Sequence, residues 1–207
     1  SRNILSLLRS SCRGPTMSRR CRGPVTAATI LAWLLIAGPA RPAIADQDDP
    51  RLDGLFQRLQ TTPNPAEARA VEQRIWLVWL EADDAGLNRL MEQGIVAMRD
   101  RRYAAALQTF DRMVEQAPEF AEGWNKRATV HFLMGNWQAS VRDIQQTLAL
   151  EPRHFGALFG LGMIYDALGQ PEAALRSFEA TLALNPHSES TRRTIEELRA
   201  QLRGSPT

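Results

Sequence analysis

AEGWNKRATVHFLMGNWQASVRDIQQTLALEP, residues Ala121–Pro152, is the stretch that decides how this chain is read. Shifted by 34 residues in either direction, its landmarks return. Pro118, Pro152 and Pro186 are 34 apart, and so are Leu90, Trp124 and Leu158. Gly94, Ala128 and Gly162 keep the same spacing, as do Ala106, Ser140 and Ala174, and Phe110, Ile144 and Phe178. A fixed period of this length marks units that cannot bury their apolar faces alone and do so by stacking on one another.

Each unit reads as two helices and a turn. The first helix carries a large residue (Leu90, Trp124, Leu158) and then a tiny one (Gly94, Ala128, Gly162). A tiny residue suits a close helix crossing, where a larger side chain overpacks the contact. Turns are expected at Asp100-Arg101-Arg102, Gly135-Asn136 and Gly169-Gln170, and the two glycines suit a helix end that needs positive φ. The second helix presents Ala106, Phe110 and Met113, then Ser140, Ile144 and Thr147, then Ala174, Phe178 and Thr181. Ala117-Pro118, Glu151-Pro152 and Asn185-Pro186 end it, because proline disfavours helix in the residue before it.

A helix–turn–helix of 34 residues with this pattern resembles the tetratricopeptide repeat (TPR). The resemblance covers Leu87–Pro186 as three repeats, 87–120, 121–154 and 155–186, and implies an all-α TPR solenoid. Gln93 and Arg127 stand where the family usually has Leu or Ile, and Ala97 and His131 where it prefers Tyr; Tyr165 matches. Residues 187–207 are expected to give a C-terminal capping helix, about Thr191–Leu202, and a tail. Ile195, Leu198 and Leu202 share its apolar face, as a solubilising terminal cap requires.

Residues 46–86 predict an N-terminal helical pair. Leu52, Leu55, Phe56 and Leu59 keep helical spacing over two turns, and the Thr61–Pro65 stretch breaks the helix. Asn64 before Pro65 is placed as an N-cap, and Ala68, Val71, Ile75, Val78 and Trp79 share the next helix's inner face. The expected task of the pair is to cap the apolar face of the first repeat. The alternative is a docking surface built on Trp76 and Trp79. The acids of Glu81–Asp84 are placed as a cap on the following helix, favoured by its dipole.

Residues 1–45 differ in kind. They hold seven arginines, no acidic residue and both cysteines, Cys12 and Cys21. Residues 1–16 are read as an upstream extension and 17–45 as a signal peptide. Its basic stretch is Ser18–Arg22, its apolar run Val25–Ala37, and its small-residue site Ala43-Ile44-Ala45, with cleavage expected after Ala45. The apolar run, about 13 residues, is short of the ~20 that span a bilayer. Membrane contact is expected only if the signal stays uncleaved. The whole chain has 25 basic and 23 acidic residues; without 1–45 it has 18 and 23, a net charge of −5, which removes the basic footprint nucleic-acid binding needs. No cysteine remains for a disulfide or thiol chemistry.

Nothing in the remainder spells out catalysis. His131, His154 and His187 have no second His or Cys at metal-ligand spacing, and Gly156, Gly160 and Gly162 lie within a helical repeat, not after a strand. The chain is therefore expected to be a scaffold, not an enzyme, with no cofactor or metal. The family resemblance implies a concave binding face lined by the first helices. Carried over by position, that face holds Asn88, Met91, Ile95 and Met98; then Glu122, Asn125, Lys126, Thr129 and Phe132; then Gly156, Phe159, Met163 and Asp166. The family's carboxylate-clamping set is represented only by Asn125 and Lys126, with Gly156 and Gly160 where basic groups would stand. The candidate partner-binding residues are Met91, Ile95, Met98, Asn125, Lys126, Thr129, Phe132, Phe159, Met163 and Asp166. Their Met and aromatic stripe suits an apolar segment or amphipathic helix of a protein partner. The WNKRA stretch and the N-terminal pair resemble small exported bacterial TPR proteins, which implies a periplasmic or secreted adaptor for an envelope protein. Two alternatives stand beside it: a homodimer through Trp76, Trp79 and Trp137, and a groove filled by the protein's own terminal helices.

Overall fold

The computed structural model describes residues 49–204. The signal peptide, its cleavage after Ala45 and the extension 1–16 lie outside the described residues, as does the tail at 205–207. Among the described residues every regular element is an α-helix: α1 (Arg51–Thr61), α2 (Pro65–Leu80), α3 (Ala85–Arg99), α4 (Tyr103–Gln116), α5 (Ala121–Leu133), α6 (Trp137–Leu150), α7 (Phe155–Ala167), α8 (Pro171–Leu184) and α9 (Glu189–Gly204). Helices α3/α4, α5/α6 and α7/α8 pair within repeats, α4 meets α5, α6 meets α7, and α9 closes on α8. The fold is the all-α TPR solenoid that the period implies.

The period has a visible physical cause at each landmark. At Gly94 an added Cβ would lie 2.3 Å from Phe110 Cζ, and at Gly162 one would lie 2.6 Å from Phe178 Cε1. Both rings are fully buried. In the middle repeat the smaller Ile144 faces the crossing, and there Ala128 takes the place of glycine. The turns repeat just as closely. Arg101, Gly135 and Gly169 have φ of 59, 76 and 68°. In each turn the next residue's N–H reaches back five positions, Arg102 to Ala97, Asn136 to His131 and Gln170 to Tyr165, at 2.8–2.9 Å. This is the Schellman closure of a helix end, and Arg101 accepts a left-handed conformation that the other two repeats give to glycine.

Arg127, which departs from the family's apolar preference, joins neighbouring units. Its guanidinium contacts Asp143 on α6 at 2.7 and 2.8 Å and Asp111 on α4 at 3.0 Å, and lies 4.7 Å from the Trp124 ring centre. Asn64 Oδ1 caps α2, accepting from the N–H groups of Ala66 and Glu67 at 2.9 and 3.5 Å. Asp84 Oδ1 caps α3 by accepting from Gly86 and Leu87 at 2.6 and 2.9 Å, the role expected of that acidic run. Ile195 and Leu198 of α9 are buried and Leu202 half-buried, so the C-terminal helix covers α8 with the face its spacing indicates.

The N-terminal pair corrects an expectation. Its inner face holds the expected Ala68, Val71, Ile75, Val78 and Trp79, but that cluster takes in Phe155 from the start of α7, with Leu184 of α8 packed alongside. Asp53 on α1 bonds Arg153 at 2.7 Å across 100 residues of sequence, and that guanidinium lies 4.7 Å from the Phe56 ring centre. The pair therefore folds back onto the third repeat and does not cap the first. What meets the first repeat is the end of α2 and the linker after it: Leu80, the last residue of α2, and Ala82 join its core, and Asn88 clamps the Ala82 backbone through both its N–H and its carbonyl, at 2.9 and 2.5 Å.

Candidate functional site

The first helices α5 and α7 present one continuous surface, and two different things happen along it. At their N-terminal ends, α2 is seated on it. Trp76 stands where α7 has no side chain: an added Cβ on Gly156 would lie 2.3 Å from Trp76 Cη2. Three residues on, Trp79 stacks flat on the His154 imidazole, with ring centres 4.1 Å apart and planes inclined by 11°. Both indoles also pack on Phe155, at 5.4 and 5.0 Å. A spacing of three positions puts both on one face of α2.

Beneath the indoles lies a buried polar cluster. His154, fully buried, caps α7: its Nδ1 accepts the Ala157 N–H at 3.1 Å. That acceptance places the ring proton on Nε2, which donates to Glu122 Oε2 at 2.8 Å. Asn125 Nδ2 donates to the same oxygen at 2.8 Å, and the Lys126 ammonium sits 2.7 Å from Glu122 Oε1 and 5.5 Å from the Trp76 ring centre. Burial pushes the Glu122 carboxyl up, but the Lys126 charge and the His154 hydrogen bond outweigh it and hold the group at about 2, against an ordinary 4.5. The Trp79 indole N–H, also buried, meets no acceptor among the described residues.

Further along α5 and α7 the surface is open. A pocket of about 260 Å³ lies there, lined by Asn125, Ala128, Thr129, Phe132, Ser140, Ile144, Gly156, Phe159, Gly160 and Met163. Gly160, one turn beyond Gly156, adds no side chain to its floor, so that the Ile144 side chain lies bare there, with Cδ1 3.6 Å from where a Cβ on Gly160 would stand. Phe132 is held from behind by Trp137 at 5.3 Å, and Phe159 by Phe178 at 5.1 Å. The walls are apolar and braced, which suits a large apolar side chain from outside.

The candidate residues divide accordingly. Asn125, Thr129, Phe132, Phe159 and Met163 line this pocket. Met91 is a correction: at 4 % exposure it is core, enclosed with Ala82, Leu90 and Phe110, and no partner reaches it. Ile95 and Met98 pack half-buried against that same core. Lys126 is engaged by Glu122, and Asp166 is exposed outside the pocket lining. The tryptophans proposed for a homodimer are likewise used within the chain: Trp79 is 1 % exposed and Trp137 is half-buried against Phe132. The sequence reading missed His154 and Glu122 as partners and missed Gly156 as a seat. Two glycines four positions apart in the first half of one helix, with no turn to explain them, were the available signal.

The profile of the tetratricopeptide repeat family matches residues 91–133 and 125–189. A TPR repeat-containing protein of Rhizobium etli is 36% identical over 157 residues, spanning 76% of this chain and 77% of the relative. Small glutamine-rich tetratricopeptide repeat-containing protein 2 of Saccharomyces cerevisiae is 26% identical over 117 residues, 52% of this chain but 34% of the yeast protein. Among solved structures, the first TPR of Spaghetti (RPAP3), bound to the HSP90 peptide SRMEEVD, superposes with a TM-score of 0.56 at 20% identity, covering 59% of this chain and 98% of that one. At that identity the likeness is one of fold.

Proposed function

The chain belongs to the tetratricopeptide repeat family, and on that premise we propose that it is an exported scaffold, not a catalyst, that holds an apolar peptide or amphipathic helix of an envelope protein. The observation that carries the reading is the braced pocket of Phe132, Phe159 and Met163 on the concave side of α5 and α7. Repeats of this family with a peptide on them, as in the Spaghetti complex, support a peptide-class partner. Export is supported by the order of basic, apolar and small-residue segments in 17–45.

Phe132→Glu and Phe159→Glu place a charge where a partner side chain would be desolvated, which is costly without a counter-charge. Both residues are half-buried, so the expected result is native helicity with partner affinity down by about tenfold to a hundredfold, ~1.4–2.8 kcal/mol. Arg112→Glu and Arg176→Glu, on exposed positions of α4 and α8, should leave binding nearly unchanged. Circular dichroism and retention of envelope proteins on the immobilised variants read both effects together. Retention equal to wild type in both Glu variants would remove the pocket from the binding site.

The processed protein is expected to begin at Asp46, and its intact mass in envelope extracts reports this directly. A mass that still includes Val25–Ala37 would mean a membrane anchor in place of a cleaved signal.

A further inference from the structure

We propose that the end of the concave face next to the pocket is a receptor for a helix carrying two aromatic residues three positions apart. Its resident occupant is α2, and a partner helix of the same chemistry exchanges with α2.

The seat is built in the array, not in α2. Gly156 leaves a gap in α7 that Trp76 fills, and the His154 imidazole is held flat for Trp79 by its own two hydrogen bonds, to Ala157 and Glu122. Lys126 adds a cation facing the Trp76 ring. None of these features depends on the occupant being covalently part of the chain. They ask for a flat ring over imidazole and a second large ring in a side-chain-free slot.

The occupant, in turn, is made to be separable. Helices α1 and α2 have a core of their own in Leu52, Phe56, Leu59, Val71, Ile75 and Val78, to which the array adds two buried side chains, Phe155 within the cluster and His154 against Trp79. The pair stands outside the 34-residue register and joins α3 through four non-helical residues, 81–84. Its ion pair to the array, Asp53 to Arg153, has Asp53 84 % exposed. The buried Trp79 N–H without an acceptor makes the seated state less than fully satisfied. A free helix with the same aromatic spacing meets the same seat and leaves α1–α2 folded on itself.

The test uses the full chain and a fluorescent peptide of residues 65–80, with the same peptide bearing alanine at both tryptophans as control. In wild type the tethered α2 competes and lowers the apparent affinity by the fraction of time it is undocked. The chain carrying Trp76→Ala and Trp79→Ala should bind the peptide about tenfold tighter or more, and adding Gly156→Leu should abolish that gain. Asp53→Arg, which sets like charges against each other on an exposed position, should raise affinity severalfold with no loss of helicity. Equal affinity in wild type and the double alanine chain, indifference to Gly156→Leu, or equal binding of the control peptide would overturn the proposal. Should the double alanine chain fail to fold, Asp53→Arg decides: no gain in peptide binding means that α2 is fixed core. Gly156 also lines the pocket, so it is the double alanine chain and Asp53→Arg, neither of which alters a pocket residue, that let the pocket and the seat stand or fall separately.

Discussion

Phe178→Ala is expected to lower the free energy of unfolding by about 3–5 kcal/mol, and Phe110→Ala by a similar amount. Both rings are fully buried, and each lies against a glycine of the facing helix. Removing the ring leaves a hole that neither backbone can close, because the crossing is fixed by the turn at its end. The reverse change, Gly162→Leu, forces a side chain into space the ring already holds and should cost about 1–3 kcal/mol. Combined in one chain the two changes should cost less than their sum, since the leucine enters the space vacated by Phe178. Urea denaturation of the four chains measures all three quantities. Strict additivity would mean that Gly162 and Phe178 do not face each other.

The second large effect concerns Glu122. Glu122→Ala strips the counter-charge from Lys126 and leaves the Nε2–H of His154 and the Nδ2 of Asn125 without their acceptor, at a cost of about 3–5 kcal/mol. The intact carboxylate also gives a definite pH dependence. Its value in the folded chain, about 2, lies below its ordinary 4.5, so the unfolded chain takes up the proton first as pH falls. Stability from this group is complete above about pH 4.5 and is lost progressively as pH falls through that value toward about 2. Urea midpoints at pH 7 and pH 3 should therefore fall further in wild type than in Glu122→Gln, which has no proton to gain. Comparing the two chains cancels other carboxylates held low, such as Glu67 beside Arg58. Parallel profiles would show that Lys126 and His154 do not stabilise the ionised form.

Local order was legible in the residues wherever local rules decide it. The Gly–Phe crossings, the Schellman turns, the Asn64 cap and the inner face of α2 follow from spacing and from what each residue type permits. Placement across the chain was not. Trp76 and Trp79 read as a face in need of cover, and nothing in their spacing says that the cover comes from Gly156 and His154, almost eighty residues on. Gly156 was legible only as the lack of a basic group, because a vacancy takes its meaning from what enters it. Met91 fell on the open face by register, but Leu80 at the end of α2 and Ala82 of the linker join its cluster. A linker's path depends on where both of its ends are anchored, and only one of them, the start of α3, was visible. The pocket was half legible: Asn125, Thr129, Phe132, Phe159 and Met163 followed from the register, while the floor at Gly160 and Ile144 needed the helix crossing itself.

The contact between Asp53 and Arg153 has a consequence for how the chain is made. In an open stack each unit settles on its predecessor as synthesis proceeds, and melting can begin at either end. Here α1 and α2 find no resting place on the array until the third repeat has followed them, through Leu184 at the far side of their cluster. Until then the two indoles face whatever the nascent chain meets, and anything that shields them in that interval will influence yield. Once the seat is reached, α2 and the third repeat are tied to each other. Loosening the last repeat also frees α2 from its seat, so heat or urea should expose Trp76 and Trp79 together with the third repeat, and not in the order in which the units follow along the chain.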